Sequence, residues 1–64
     1  MSDMTADELK AWRERLGFSE VQAARALNKP TQTYRNWEDG RRRVDPMAER
    51  LTIYVERYGP LAAE

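Results

Sequence analysis

Helix-start signals recur along this chain of 64 residues and divide it into short segments. Residues 5–8 (TADE) and 19–22 (SEVQ) each fit a capping box, in which a Ser or Thr and the Glu or Gln three residues later satisfy each other's backbone N–H groups. Asp45 offers a capping carboxylate and Pro46 then occupies a first helical position. Pro30 is likewise suited to open a helix, where its missing N–H is not needed.

Helix-stop signals follow at matching distances. Gly17, Gly40 and Gly59 can adopt the left-handed conformation that ends a helix, and Asn28 tolerates it. The sequence therefore predicts an all-α, compact four-helix domain with no β-strand. The predicted helices cover about residues 5–16, 19–27, 30–39 and 45–58. One domain is expected over residues 1–64, with flexible tails at 1–4 and 60–64.

Apolar side chains recur at helical spacing within each predicted helix, as a shared core requires. The residues expected to face that core are Leu9, Trp12, Leu16, Val21, Ala24, Leu27, Tyr34, Trp37, Met47, Leu51, Tyr54, Val55 and Tyr58. Phe18 precedes the second cap and is expected to pack on Ala23. The chain has no cysteine and no histidine, which excludes disulfides and Cys/His zinc sites. Helix packing or self-association must therefore supply the stability of so small a core.

The composition also narrows the class of protein. No apolar run approaches the roughly 18 residues of a membrane span, and the acidic N-terminus does not resemble a signal peptide. We therefore expect a cytoplasmic protein without a membrane segment. Without histidine, cysteine or a Gly-rich phosphate loop, the chain is expected to be no enzyme and to hold no metal or cofactor. Its length leaves little room for a small-molecule pocket.

Positive charge is concentrated in one part of a formally neutral chain, which has 11 basic and 11 acidic residues. Residues 29–43 carry a net charge of +3, and three of their arginines are consecutive at 41–43. Clustered charge creates a local field even when the total is zero. Two interpretations are open on charge alone: a solvated arginine-rich loop, or a surface for an anionic partner.

Polar residues on the third predicted helix favour the second interpretation. Thr31, Gln32, Arg35 and Asn36 have the spacing of one helix face, opposite Tyr34 and Trp37. Gln and Asn can pair bidentately with adenine, Arg with guanine, and a Thr methyl group can pack on thymine. Each such residue alone is common on protein surfaces. Four together, beside an arginine-rich loop, indicate a helix that reads DNA bases while the loop contacts phosphates.

Residues 18–40 resemble, without a gap, the helix-turn-helix of the Cro/phage-repressor (XRE) family of transcriptional regulators. The shared features are an apolar residue, a capping Ser, a central Ala, a Leu before the turn and a Trp-Glu-x-Gly ending. Residues 9–19 are similar to the family's first helix, with its L-x-x-x-R-x-x-x-G-x-S spacing, and the resemblance covers about residues 5–58. It implies sequence-specific binding of double-stranded DNA by a bacterial or phage repressor. Such a repressor acts as a homodimer on a palindromic operator, with helix 30–39 in the major groove.

The resemblance also assigns residues. Base readout is implied at Thr31, Gln32 and Asn36, and sometimes at Arg35. Contacts with DNA phosphates are expected from Ser19, Lys29, Thr33, Arg41, Arg42 and Arg43. An ion pair between Glu38 and Arg13 is implied between the third and first helices, and the alternative for Glu38 is a solvated surface acid.

Two positions depart from the family pattern, and the dimer surface is open. Glu20 stands where the family often has a phosphate-contacting Gln, and Asn28 stands where the turn usually has Gly. Many members dimerise through a fifth helix, for which this chain is too short, so the dimer surface is expected at Ile53, Tyr54, Arg57, Tyr58 and Leu61. The alternative is that Tyr54 and Tyr58 only close the core of the monomer. A further alternative is a protein-interaction module, an antitoxin or adaptor, with helix 45–58 as the partner surface.

Overall fold

The computed structural model describes residues 4–59, which form four α-helices and no β-strand. Helix α1 spans Ala6–Leu16, α2 spans Glu20–Ala26, α3 spans Thr31–Glu38 and α4 spans Pro46–Tyr58. The predicted all-α, four-helix fold is confirmed. The predicted helices are about one residue longer than the observed helices at most of their ends, because the prediction included the capping residues. No helix within residues 4–59 has both the length and the apolar character needed to cross a membrane.

The helices begin where their capping residues are. In the first capping box, Glu8 N donates to Thr5 Oγ1 over 3.1 Å and Thr5 N donates to Glu8 Oε1 over 2.8 Å. Ser19 and Gln22 repeat this arrangement with the same two distances. Before α4, Asp45 Oδ1 accepts a hydrogen bond from Met47 N. The start of α3 differs from the prediction. Pro30 has an extended backbone and is the capping residue before α3, whereas it was predicted to be the first helical residue.

Three helices end in the same hydrogen-bonded turn. Gly17, Asn28 and Gly40 have φ angles of 75°, 57° and 77°, in the left-handed region. After α2, Asn28 N donates to Arg25 O and Lys29 N donates to Ala24 O, both over 2.9 Å. This pair of bonds is the Schellman motif, which satisfies carbonyl groups that the helix leaves without a partner. Asn28 therefore does in the turn between α2 and α3 what Gly17 and Gly40 do elsewhere.

Helix α3 lies at the centre of the packing and contacts both α1 and α2. The largest fully buried apolar side chains are Leu9, Trp12, Leu27 and Tyr34. Helix α2 contributes its alanines, and α4 contributes Ala48 and Val55. Phe18 packs edge-on against Trp12, with ring centroids 6.0 Å apart. A core with alanine on α2 lets the helices on either side of the turn approach closely.

Four predicted core residues are exposed, and the reason is a shift of face. Val21 in the first turn of α2 is 42% exposed, because the buried positions of that helix are the alanines. Met47, Tyr54 and Tyr58 on α4 are also exposed. The buried residues of α4 are Ala48, Thr52 and Val55. Val55 was predicted to be buried, whereas Ala48 and Thr52 each lie one position after a member of the predicted stripe. One position corresponds to about 100° around a helix, so α4 has two neighbouring apolar stripes and buries only one.

Polar contacts hold α4 against α1. Trp12 Nε1 donates to Thr52 O over 3.1 Å, and Arg15 forms a salt bridge with Glu56 at 2.5 Å. Before the first capping box, Met4 packs against the core and its N–H donates to Glu49 Oε1 over 3.2 Å.

Candidate nucleic-acid interface

Helix α3 presents two different faces. Tyr34 and Trp37 are buried in the core, 0% and 5% exposed. Gln32 and Arg35 are exposed, and the predicted base readers Thr31 and Asn36 are half-buried at the edges of the same outward face. The four side chains predicted to read bases therefore lie together on the side of α3 that faces away from the core.

Two of these side chains are joined to each other. Gln32 Nε2 donates to Asn36 Oδ1 over 3.1 Å, one helical turn along α3. This bond leaves the carbonyl oxygen of Gln32 as an acceptor and the amino group of Asn36 as a donor. Adenine offers the complementary pattern in the major groove, with a donor at N6 and an acceptor at N7. The pair is therefore oriented before any partner binds.

A third predicted base reader contacts α2. Arg35 Nε lies 3.4 Å from Glu20 Oε1, and the two side chains are 49% and 37% exposed. Glu20 is the first residue of α2, and it is one of the two residues that depart from the family pattern. Sequence reasoning missed this contact. The opposite charges were visible, but fifteen positions separate them, and only the packing of α2 on α3 brings them together.

The ion pair expected between the first and third helices is present. Arg13 Nε donates to Glu38 Oε2 over 2.7 Å, and Arg13 Nη1 donates to Phe18 O over 3.1 Å. The side chains of Arg13 and Glu38 are only 16% and 6% exposed. The hydrogen bond with Glu38 raises the pKa of Arg13 above its usual value, so this guanidinium stays charged. Glu38 is thus committed to the structure, and the alternative of a solvated surface acid is wrong.

The Tyr34 hydroxyl lies in the same buried region. Burial, and next the nearby Glu38 carboxylate, raise the pKa of Tyr34 far above its usual value, so the phenol is neutral. Its oxygen is buried and has no hydrogen-bond partner among residues 4–59. Glu38 is close enough to raise the pKa of the phenol, although the hydroxyl and the carboxylate do not meet the geometry of a hydrogen bond.

The arginine-rich loop is anchored to the end of α3. The N–H groups of Arg41 and Arg42 both donate to the carbonyl of Asn36, over 3.0 and 3.2 Å. The side chains of residues 41–43 are exposed. Arg42 and Arg43 line shallow grooves on both sides of Trp37, one bordered by Thr5 and the other by Thr33. The loop is therefore held beside the outward face of α3 by backbone hydrogen bonds, while its cationic side chains reach solvent.

The remaining predicted phosphate contacts surround the same face. Ser19 is exposed, and its oxygen accepts a bond from Gln22 N, so its hydroxyl hydrogen can still be donated. Lys29 lies in the turn before α3 and is half-buried. Thr33 is half-buried beside the outward face and lines a groove with Arg42 and Arg43. Hydroxyl and ammonium donors of this kind are suited to phosphate oxygens.

The predicted dimer residues on α4 divide between two sides of the helix. Tyr54 and Tyr58 are 48% and 69% exposed, and their rings are in contact with centroids 4.9 Å apart. The alternative that these tyrosines close the core is therefore wrong. Ile53 and Arg57 are exposed on another side, where they line a shallow groove with Glu56. Leu61 lies outside the described residues.

Comparison with known proteins places the chain in a family. No curated protein matches it. A family model described as a helix-turn-helix domain matches residues 6–59, which is almost the whole of the described structure. The match agrees with the resemblance to Cro/XRE-type regulators, and it suggests DNA binding. The chain belongs to the helix-turn-helix domain family.

Proposed function

We propose that this protein is a sequence-specific binder of double-stranded DNA that acts as a small bacterial or phage transcriptional repressor. In this proposal α3 enters the major groove, and Thr31, Gln32, Arg35 and Asn36 read base edges. The phosphate contacts come from Ser19, Lys29, Thr33, Arg41, Arg42 and Arg43. No catalytic role is proposed, since domains of this family are typically non-enzymatic DNA-binding modules.

The observation that supports the proposal most strongly is the outward face of α3. Its four polar side chains lie opposite the buried Tyr34 and Trp37, and two of them are oriented by their own hydrogen bond. Three exposed arginines follow at the end of the same helix. A solvated helix needs no such combination of amides and guanidinium, whereas a groove-reading helix needs base readers and phosphate contacts side by side.

We further propose that the protein binds its operator as a homodimer. One reading helix contacts only a few base pairs, each worth about 1–3 kcal/mol of discrimination, which is too little to select one site in a genome. Two copies on a palindrome, with half-sites about one helical turn apart, double the contacts. The exposed residues Ile53, Tyr54, Arg57 and Tyr58 support a dimer surface on α4, and Leu61 stays part of the proposal.

Selection of bound sequences from a random double-stranded DNA pool tests the proposal. Enrichment of a palindrome supports both base readout and a symmetric dimer, and enrichment of a single half-site supports base readout without the dimer. Gel shifts at several salt concentrations accompany the selection. Affinity should fall with salt, by a slope of about 0.9 for each phosphate neutralised. Absence of binding at low salt, or binding indifferent to salt, would exclude the DNA-binding function.

A second candidate is a protein-interaction module, an antitoxin or adaptor that uses the same fold. The exposed tyrosine pair on α4 is the observation that favours it, because exposed aromatic side chains are typical of protein interfaces. The two functions differ in the effect of Tyr58→Ala. In an interaction module this variant loses its protein partner and keeps any DNA binding, whereas in a dimeric repressor DNA binding weakens too.

A further inference from the structure

We propose that Glu20 determines DNA specificity by holding Arg35 in the orientation that reads guanine. This inference rests on the proposed function and deepens it. It follows from Glu20, one of the two residues that depart from the family pattern.

The contact uses one edge of the guanidinium. The shortest distance between the two charged groups is 3.4 Å, from Glu20 Oε1 to Arg35 Nε, and this ion pair is not a hydrogen bond. Within residues 4–59 no hydrogen bond engages Nη1 or Nη2 of Arg35. Glu20 is well placed to hold this position because it begins α2, within the capping box of Ser19 and Gln22 that fixes the start of that helix. The arginine is thereby drawn toward α2, while the end of its fork makes no hydrogen bond within the described residues.

The free end of the fork matches one base. Guanine presents two acceptors in the major groove, N7 and O6, and the two terminal nitrogens of an arginine can donate to both. A long arginine side chain has several rotamers, and without a fixed partner it can equally contact a nearby phosphate. A carboxylate on Nε reduces that freedom. The contact therefore favours guanine recognition over a phosphate contact.

The negative charge of Glu20 should also affect how tightly the protein binds DNA of any sequence. A carboxylate near the DNA backbone repels phosphates, so Glu20 should weaken binding to every sequence. Where the DNA has guanine opposite Arg35, the oriented arginine offsets this loss of affinity. Other sequences gain nothing from the orientation of Arg35. Glu20 should therefore widen the difference between the preferred operator and other DNA, because it lowers affinity for the other DNA.

A double-mutant cycle on the full chain tests the proposal. The proteins are the original chain, Glu20→Gln, Arg35→Gln and the double variant, each assayed on the selected operator and on operators with every base at the Arg35 position. For Glu20→Gln we expect discrimination for guanine to fall by about tenfold. Binding to other sequences should tighten, and the salt slope should rise by about 0.9 if the freed arginine contacts a phosphate. In the Arg35→Gln background, Glu20→Gln should leave the base preference unchanged.

Two further variants keep the test decisive. Arg35→Lys keeps the charge and removes the planar fork and the Nε that Glu20 contacts, so it should weaken the guanine preference and make it insensitive to Glu20→Gln. Asp39→Asn is the matched control, since it removes one exposed negative charge at the end of α3 without touching the contact between Glu20 and Arg35. It should raise affinity on all sequences alike.

The outcomes separate this inference from the proposed function. If Glu20→Gln behaves as Asp39→Asn does, with higher affinity and unchanged base preference, Glu20 only repels phosphate and the inference is overturned while DNA binding stands. The same conclusion follows if Glu20→Gln changes the preference equally with and without Arg35. If the original chain binds no DNA at low salt, the proposed function itself fails. Thermal unfolding followed by circular dichroism confirms that each variant is folded.

Discussion

Glu38 accepts hydrogen bonds from Arg13 Nε and Nη2, over 2.7 and 3.4 Å, while Arg13 Nη1 donates to Phe18 O. One guanidinium thus joins α1, the turn after α1 and the end of α3. Such pairs are not a sure source of stability, because both charges lose hydration on burial. The Arg13–Glu38 pair does fix the position of α3, which carries the proposed reading face.

Removing the Glu38 carboxylate should therefore destabilise the fold. Glu38→Ala leaves the guanidinium of Arg13 largely buried and uncompensated, and we expect the free energy of unfolding to fall by about 3–5 kcal/mol. Urea unfolding followed by tryptophan fluorescence measures it, since Trp12 and Trp37 are both buried. Glu56→Ala, which breaks the exposed pair with Arg15, is the control and should cost about 1 kcal/mol or less. Equal small losses in both variants would contradict a structural role for the Arg13–Glu38 pair.

The buried Tyr34 hydroxyl leads to a second prediction. A buried hydroxyl without a hydrogen-bond partner costs about 1–3 kcal/mol relative to a satisfied one, and phenylalanine fills the same space without it. Tyr34→Phe should therefore leave the free energy of unfolding unchanged or raise it by about 1 kcal/mol. Urea unfolding decides the matter. A loss of more than about 1 kcal/mol would mean that the hydroxyl is hydrogen-bonded in solution, with Glu38 as the nearest acceptor.

The third prediction concerns the turn between α2 and α3. Asn28 has a φ of 57°, where a residue with a Cβ is strained and glycine is not. Asn28→Gly should change the free energy of unfolding by about 0.5 kcal/mol or less, whereas Asn28→Ala should cost about 1 kcal/mol. Thermal and urea unfolding of both variants give the comparison. If alanine is tolerated as well as glycine, the left-handed turn is not what fixes the start of α3.

The helices could be predicted from the sequence because their signals are local. Capping at Thr5, Ser19 and Asp45 depends on residues two or three positions away, and the structure contains all three caps. The outward face of α3 was predictable for the same reason, since Tyr34 and Trp37 mark its inner side. In both cases the residues of a single helix and its cap were sufficient for the prediction.

Two features could not be predicted from the sequence, because they depend on how the helices pack: the buried side of α4 and the contact between Glu20 and Arg35. The apolar residues of α4 fit two neighbouring stripes, and only contact with α1 through Trp12 and Thr52 decides which one is buried. The contact between Glu20 and Arg35 likewise depends on the angle between α2 and α3. Neither relation follows from the spacing of residues along the chain.

The division of work between α3 and the arginine-rich loop can be tested by comparing two pairs of variants. Arg41→Ala and Arg43→Ala should weaken binding on all sequences alike and reduce the salt slope by about 1 each, because the loop is proposed to contact phosphates. Gln32→Ala and Asn36→Ala should change the preferred sequence, with a loss of about 1–3 kcal/mol on the operator. Gel shifts on the operator and on its point variants measure both effects. A changed preference in the loop variants would contradict this division.

The last prediction concerns the exposed side of α4. Tyr54 and Tyr58 contact each other and lie about 100° and 140° around α4 from Ile53, so one flat dimer surface cannot use both sides equally. We expect the tyrosine side to be central, because truncating an aromatic side chain at the centre of an interface costs about 2 kcal/mol or more. Tyr58→Ala should therefore raise the dimer dissociation constant about thirtyfold, as measured by analytical ultracentrifugation.

Ile53→Ala is the matched control, since it truncates an equally exposed apolar residue of the same helix, and it should change the dissociation constant by about threefold or less. DNA binding should follow the dimer: Tyr58→Ala should weaken operator binding at low protein concentration and recover as concentration rises. If Ile53→Ala disrupts the dimer and Tyr58→Ala does not, the interface lies along the groove with Glu56 and Arg57 instead. If the original chain binds its operator as a monomer, the homodimer is excluded. Tyr54 and Tyr58 would then be candidates for binding a different protein.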